Sequence, residues 1–388
     1  MHHSTSRILT THCGSLPRPE DLLHLMEARV RGASNKGSFN EDSYTARVRS
    51  AVAEIVEQQV ESGIDIPTDG EQGKLGFFSY VGERLNGFEP RPGKRALSFA
   101  AEREAFPEYY ADYFGRAMTG GAVAAIVPMV CTGPVTYRGH DAIQRDIANL
   151  KTTLTGLTPT DVFMPSIAPS GVGSNEYYRT NEEYFEAVGE AMRHEYLAIV
   201  NAGFLLQIDD PFLSESFSEP GLSPDQWLRN AEAWVECLNH ALRGIPSDSI
   251  RFHTCYGINE GPRIHDAPMS DIAPVLLKIN AGAYSFEAAN ARHEHEYHVW
   301  ENVKLPSGKI LIPGVITHAS NIVEHPELIA ERIVRFAQRV GRENVIAGTD
   351  CGFSSQATYK PEVHPTVMWE KFRAMAAGAK LASKKLWP

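Results

Sequence analysis

The chain has 388 residues, 43% hydrophobic and 22% charged, an ordinary composition for a globular enzyme and enough chain to bury a sizeable core. Its formal net charge of −11, with no Lys/Arg run to neutralise a row of phosphates, excludes a general nucleic-acid binder and points to a small-molecule substrate. No segment approaches the roughly 20 apolar residues that span a bilayer, and the N-terminus lacks the apolar stretch of a secretory signal, so no membrane partner and a cytoplasmic location are expected.

In chain order, short apolar runs alternate with stretches of helical period. The predicted strands are Ile8–Cys13, Ile64–Thr68, Ile126–Cys131, Val162–Ala168, Phe204–Ile208, Ile250–His253, Ala283–Phe286, Ile310–Ile316 and Val345–Ala347. Near-continuous hydrophobicity marks strands buried on both faces, as in a parallel sheet. Helices are predicted over Glu41–Glu61, Asn181–Asn201, Pro224–Leu242, Pro326–Val340 and His364–Ala382, each opening near a Pro, Asn, Asp or Ser. Repeated βα units along the whole chain predict an α/β fold, a (β/α)8 barrel of the TIM type forming one domain over residues 1–388. Nine runs compete for eight places, so one is an accessory hairpin or a loop, expected in the second or third quarter. There Leu85–Val123, irregular and rich in charge and aromatics, reads as an insertion: a lid, an arm for contacts in a homo-oligomer, or both.

The polar residues cluster after the apolar runs. Ser15 follows the first run, Asp69 and Glu71 the second, Asp209 and Asp210 the fifth, His253 and Cys255 the sixth, Glu287 the seventh, His318 the eighth and Cys351 the last. Barrel enzymes place their chemistry at these strand ends. His253 and Cys255 lie two apart, so on an extended strand end their side chains point the same way. With Cys351 and Glu287 they form a set of three or four N, S and O donors with two thiolates, which selects zinc. An odd count of five cysteines does not read as a disulfide framework. Cys237 reads as helix packing, Cys131 is ambiguous, and Cys13 lies near the mouth without being assigned as a ligand. The run Arg292–His298 lacks a metalloprotease spacing and reads as a charged helix start.

These motifs, Gly14-Ser15-Leu16-Pro17, Asp69-Gly70-Glu71, Gln207-Ile208-Asp209-Asp210-Pro211, His253-Thr254-Cys255, Glu287, His318 and Asp350-Cys351-Gly352, occur in the order found in the cobalamin-independent methionine synthase family. The chain resembles that family's C-terminal catalytic barrel over nearly its whole length, as a short form without the second barrel of longer members. The resemblance implies zinc bound by His253, Cys255, Glu287 and Cys351. It further implies Ser15, Glu71 and Asp209 as the substrate-binding residues that hold the amino-acid part of homocysteine, and His318 as the catalytic residue that protonates the departing methyl donor. Only Tyr177 or Tyr178 is on offer to stack on a folate ring. The stretches Gly257–Pro262 and Ser285–Glu296 look more like short relatives such as epoxyalkane:coenzyme M transferase.

The expected function is zinc-dependent S-methylation of homocysteine or a similar thiol, with a methyltetrahydrofolate as donor. One alternative joins an epoxide or other electrophile to a thiol such as coenzyme M. Two others are a zinc-free decarboxylase of the uroporphyrinogen type, which the fold alone permits, and a non-catalytic zinc-binding partner protein. The simpler readings of the pocket residues are a rim pairing of Glu71 with Lys74 or Arg84, a capping role for one of Asp209 and Asp210, and a backbone-bonded His318.

Overall fold

The computed structural model describes residues 1–34, 39–92, 99–118, 121–215, 221–257 and 260–388. Ten strands are present among them: β1 (Leu9–Thr10), β2 (Leu85–Pro90), β3 (Met129–Tyr137), β4 (Phe163–Ile167), β5 (Ser174–Asn175), β6 (Leu205–Asp209), β7 (Ile250–His253), β8 (Ala283–Phe286), β9 (Ile310–Ile316) and β10 (Ile346–Thr349). Seven form one parallel sheet in the order β1-β10-β9-β8-β7-β6-β4. Residues 64–68 span the gap between its two edges. Ile66 bridges in parallel to Thr11, and its N–H, like that of Asp65, donates to Thr10 O at 3.1 Å. On the other side Phe163 N donates to Pro67 O at 3.1 Å. The sheet therefore curls into a barrel of eight staves.

Side chains fill the barrel's base. Leu9, Ile66, Phe163, Leu205, Ala283, Ile310, Ile312 and Ile346 form one buried cluster drawn from seven of the staves. The remaining stave, β7, contributes Arg251, whose guanidinium lies 3.9 Å from the Phe163 ring centroid and donates to Thr11 Oγ1 and His12 O, both at 2.9 Å. Such a base is a packed plug rather than a pore, which leaves the opposite end for chemistry.

The outer helices follow the sequence closely. Glu41–Glu61, Asn181–Asn201 and Pro326–Val340 form as predicted, Pro224–Ala241 stops one residue early, and Pro365–Leu386 runs four residues further than expected. Ser223 and Gln226 form a reciprocal capping box, with Pro224 in the first turn, where its missing N–H costs nothing. In Pro326–Val340 the buried residues Ile329, Ala330, Ile333, Phe336 and Ala337 recur at helical spacing and turn one stripe to the sheet. Among the described residues no helix is long and apolar enough to cross a membrane.

The surplus run is Ile126–Cys131. Its C-terminal half begins β3, which pairs antiparallel with β2 and, in parallel, with β5 in a separate three-stranded sheet. Past Cys131 the burial of β3 falls away, as it does when one face of a strand is left to solvent. The predicted insertion Leu85–Val123 thus begins with β2. It continues through helices Ala100–Ala105 and Pro107–Tyr113, where Tyr109, Tyr110, Tyr113 and Phe114 pack ring on ring. Its residues 93–98 and 119–120 lie outside the described residues, as do residues 258–259 of the Gly257–Pro262 stretch.

Candidate metal centre and adjoining carboxylate pocket

His253 ends β7, Cys255 follows two residues later, and Cys351 follows β10 across the barrel mouth. One ligand atom from each of these three residues lies within 4.8 Å of the other two. Bonds of roughly 2.0–2.3 Å to a single zinc ion bridge such a span. The donors suit the ion. His253 is 3% exposed, and its Nε2 is buried with no hydrogen-bond partner, while Nδ1 is engaged by Ser285 Oγ at 3.2 Å. Burial pulls its pKa down to about 3, leaving the neutral imidazole that a metal requires. The Cys351 thiol is pushed well up, first by its hydrogen bond with Cys255, then by burial and by the neighbouring Cys255, Cys13 and Glu287. A cation between the thiols is what would hold Cys351 as thiolate.

Glu287, the fourth expected ligand, stands beside this trio and is not grouped with it. Its Oε1 accepts from Tyr256 N at 2.9 Å; its Oε2 accepts from Arg263 Nη1 at 2.7 Å and Asn290 Nδ2 at 2.8 Å. Burial works against the carboxylate charge, yet Arg263, with His318 and His293, pulls the pKa to about 2. Asp350 anchors the loop after Glu287 by accepting from Ala288 N and Ala289 N, both at 2.7 Å. This joins the end of β8 to the residue before Cys351. Arg263, Asn290 and Asp350 carry no motif as ligands, and the first two were not legible in the sequence.

A second group adjoins the trio. Ser15 Oγ packs so closely against Gly352, next to Cys351, that a Cβ there would displace it. Glu71 is 1% exposed and sits at φ 56, behind Gly70 at φ 64, a left-handed pair that turns the chain sharply back over the mouth. Its Oε1 accepts from Lys74 Nζ at 3.1 Å, the pairing anticipated from the sequence, while Oε2 is buried without a partner. Lys74 also donates to Pro165 O at 2.7 Å. Asp209 ends β6 and accepts from Gln207 Nε2 at 2.7 Å; burial first, then the Glu71 charge, raises its pKa well above the carboxylate range. Asp210 faces elsewhere, accepting from Ser170 Oγ at 2.8 Å and Leu213 N at 3.1 Å. It has the capping role weighed for one of the pair.

His318 is 3% exposed at the mouth. Burial and the nearby Arg263 and Lys371 lower its pKa to about 4 against the opposing pull of Glu287, so it is neutral at pH 7. The charged run after β8 is structural. His293 is clamped between Glu296 Oε2 at 2.7 Å and Asp266 Oδ2 at 3.0 Å, and stacks on Tyr256 with ring centroids 4.1 Å apart. The two candidate folate-stacking tyrosines sit by the accessory sheet: Tyr178 OH accepts from Val135 N at 3.0 Å, and Tyr177 is about half exposed.

Comparison with known proteins agrees with this architecture. The curated methionine synthase of Saccharolobus islandicus (strain L.S.2.15 / Lassen #1) is 24% identical over 389 residues, covering 97% of this chain and 95% of its own length. That of Saccharolobus solfataricus is 25% identical over 380 residues with the same coverage. Among solved structures, a B12-independent methionine synthase from Shewanella sp. W3-18-1 superposes with a TM-score of 0.71 at 19% identity. It covers 98% of this chain and 99% of its own, and shares the fold. A family model described as the catalytic domain of cobalamin-independent synthase matches residues 8–154 and 167–370. With that match extending over most of the barrel and both groups of mouth residues, the chain belongs to the cobalamin-independent synthase catalytic-domain family.

Proposed function

We propose that this chain is a zinc-dependent thiol S-methyltransferase on a single barrel domain, acting on homocysteine or a similar amino-acid thiol. His253, Cys255 and Cys351 are the zinc ligands, and Glu287 is an exchangeable fourth. The observation that supports the reading is the register of Asp209 with His253 on adjoining strands, with the Glu71 charge acting on Asp209, which puts buried carboxylates next to the His253, Cys255 and Cys351 trio. The name of the curated relatives, methionine synthase, supports the same acceptor.

Zinc, when bound, supplies a Lewis acid that keeps a substrate thiol, with a free pKa near 8.5, ionised at neutral pH. The chain's own residues do the rest. Glu71 Oε2 lacks a partner, and Asp209 is held in a state that an arriving cation would relieve, so together they fit an ammonium group. An ammonium donates to these oxygens and a sulfonate, which only accepts, does not, which favours an amino-acid thiol over coenzyme M. Ser15 bonds the substrate carboxylate. His318 serves as proton donor to the leaving group. It is neutral at rest, so the proton it gives is one it first takes up, and the ionising thiol releases one. Glu287 already has three donors on its oxygens, so of the four residues it would hold a zinc ion least firmly.

The test offers zinc-loaded enzyme homocysteine or coenzyme M, each with methyltetrahydrofolate or an epoxide, and identifies the thioether by mass spectrometry. Methionine is the expected product. Turnover unchanged by zinc removal, or a coenzyme M thioether as the only product, would overturn the proposal.

A further inference from the structure

Cys13 lies just beyond β1, 5% exposed, against the trio without belonging to it. Its contacts run in two directions. Its Sγ lies 3.4 Å from His253 Nδ1 and 3.9 Å from Ser285 Oγ; its S–H is placed to donate to Thr349 O at 3.4 Å, two residues before Cys351. Its backbone N–H donates to Thr349 Oγ1 at 3.2 Å, fixing it in place. The other face of the His253 ring, Nε2, is buried and bare.

An imidazole binds a metal through one nitrogen and then carries its proton on the other, which needs an acceptor. At His253 the side-chain acceptors within reach of Nδ1 are Ser285 Oγ and Cys13 Sγ, with the Ser285 backbone oxygen also close to the ring. Each can accept a proton and pass on its own, Ser285 to Cys13 and Cys13 to the Thr349 carbonyl. Through either side chain the run of hydrogen bonds ends at Cys13 and Thr349. A residue without an acceptor at position 13 would break that link and leave a buried carbonyl with one donor fewer.

We infer that Cys13 is a positioning residue of the metal centre, holding His253 in the tautomer that turns the Nε2 lone pair to the ion. It thereby ties the ligand-bearing end of β7 to that of β10. This rests on the reading of His253, Cys255 and Cys351 as zinc ligands. Cys13 contributes no bond to the metal; it sets the direction and electron richness of one that does, as outer hydrogen-bond partners of ligating histidines do.

The experiment compares wild type, Cys13→Ser and Cys13→Ala, loaded with zinc, by competition with a chromophoric chelator and by NMR of ¹⁵N-histidine-labelled protein. Wild type is expected to show a His253 ring with protonated Nδ1 and metal-bound Nε2. Cys13→Ala should bind zinc roughly ten- to a hundredfold more weakly. Cys13→Ser keeps a donor and an acceptor and should stay within about threefold of wild type. Equal affinity and an unchanged His253 signal in Cys13→Ala would overturn the inference, as would a wild-type ring bound through Nδ1, a result that needs no variant to fold. Absence of stoichiometric zinc from wild type would instead overturn the ligand assignment on which it stands.

Discussion

Arg263 donates through Nη1 to Glu287 Oε2 at 2.7 Å, and both side chains are almost wholly buried at the barrel mouth. Arg263 also holds Asp266 through Nε at 2.7 Å and adopts φ 60, an unusual backbone for a long side chain, retained where its contacts over-determine it. The pair therefore fixes the position of the Glu287 carboxylate.

Removing the Glu287 charge separates its structural role from ligation. Glu287→Gln leaves a buried guanidinium short of a partner, and unfolding in urea should show a loss of about 3 kcal/mol. Zinc content should stay at one per chain, because the trio supplies three donors. Loss of bound zinc in a variant that remains folded would make Glu287 an obligatory ligand.

The carboxylate pocket is tested by paired thiols. Glu71→Gln and Asp209→Asn should each weaken homocysteine binding about ten- to a hundredfold by calorimetry, the scale of one charged hydrogen bond. Binding of a thiol acid that lacks the amino group should change by less than about threefold. Equal losses for both thiols would remove the ammonium assignment.

On the proposed function His318 moves a proton and does not hold metal. His318→Ala should keep zinc and homocysteine binding within about threefold while turnover falls by at least about a hundredfold, the usual size of a lost general acid. Zinc loss in this variant would reassign the residue to the metal.

His293 makes the stability of this end of the barrel depend on pH. Burial opposes its charge, but hydrogen bonds to Asp266 and Glu296 outweigh burial and raise its pKa to about 9. Since that lies above the ordinary 6.5, the stabilisation is full below pH 6.5 and is lost as the pH rises through 9. It amounts to something on the order of 3 kcal/mol. The urea midpoints of wild type and His293→Gln should differ widely at pH 6 and converge near pH 10. A gap that is independent of pH would assign His293 to packing against Tyr256 alone.

The barrel was legible because its staves are buried on both faces, and runs such as Phe204–Ile208, broken only by Gln207, and Ile310–Ile316 announce that by near-continuous hydrophobicity. The same signal misplaced Ile126–Cys131. It is as apolar as a true stave, and only its antiparallel pairing with Leu85–Pro90, a partner about 40 residues away, sets it apart. His253, Cys255 and Cys351 could be read because strand ends and residue type together restrict the chemistry. Arg263 and Asn290 could not, since they sit in loops and act through contacts that exist only once the loops fold together. Cys13 showed its place in the sequence but not its role, which depends on which ring nitrogen of His253 it faces.

Uptake of a substrate thiol by the proposed zinc centre is read by X-ray absorption at the zinc edge with and without homocysteine. Two sulfur neighbours, from Cys255 and Cys351, are expected in the enzyme alone and three after homocysteine is added. A sulfur count that stays at two with saturating homocysteine would contradict such uptake.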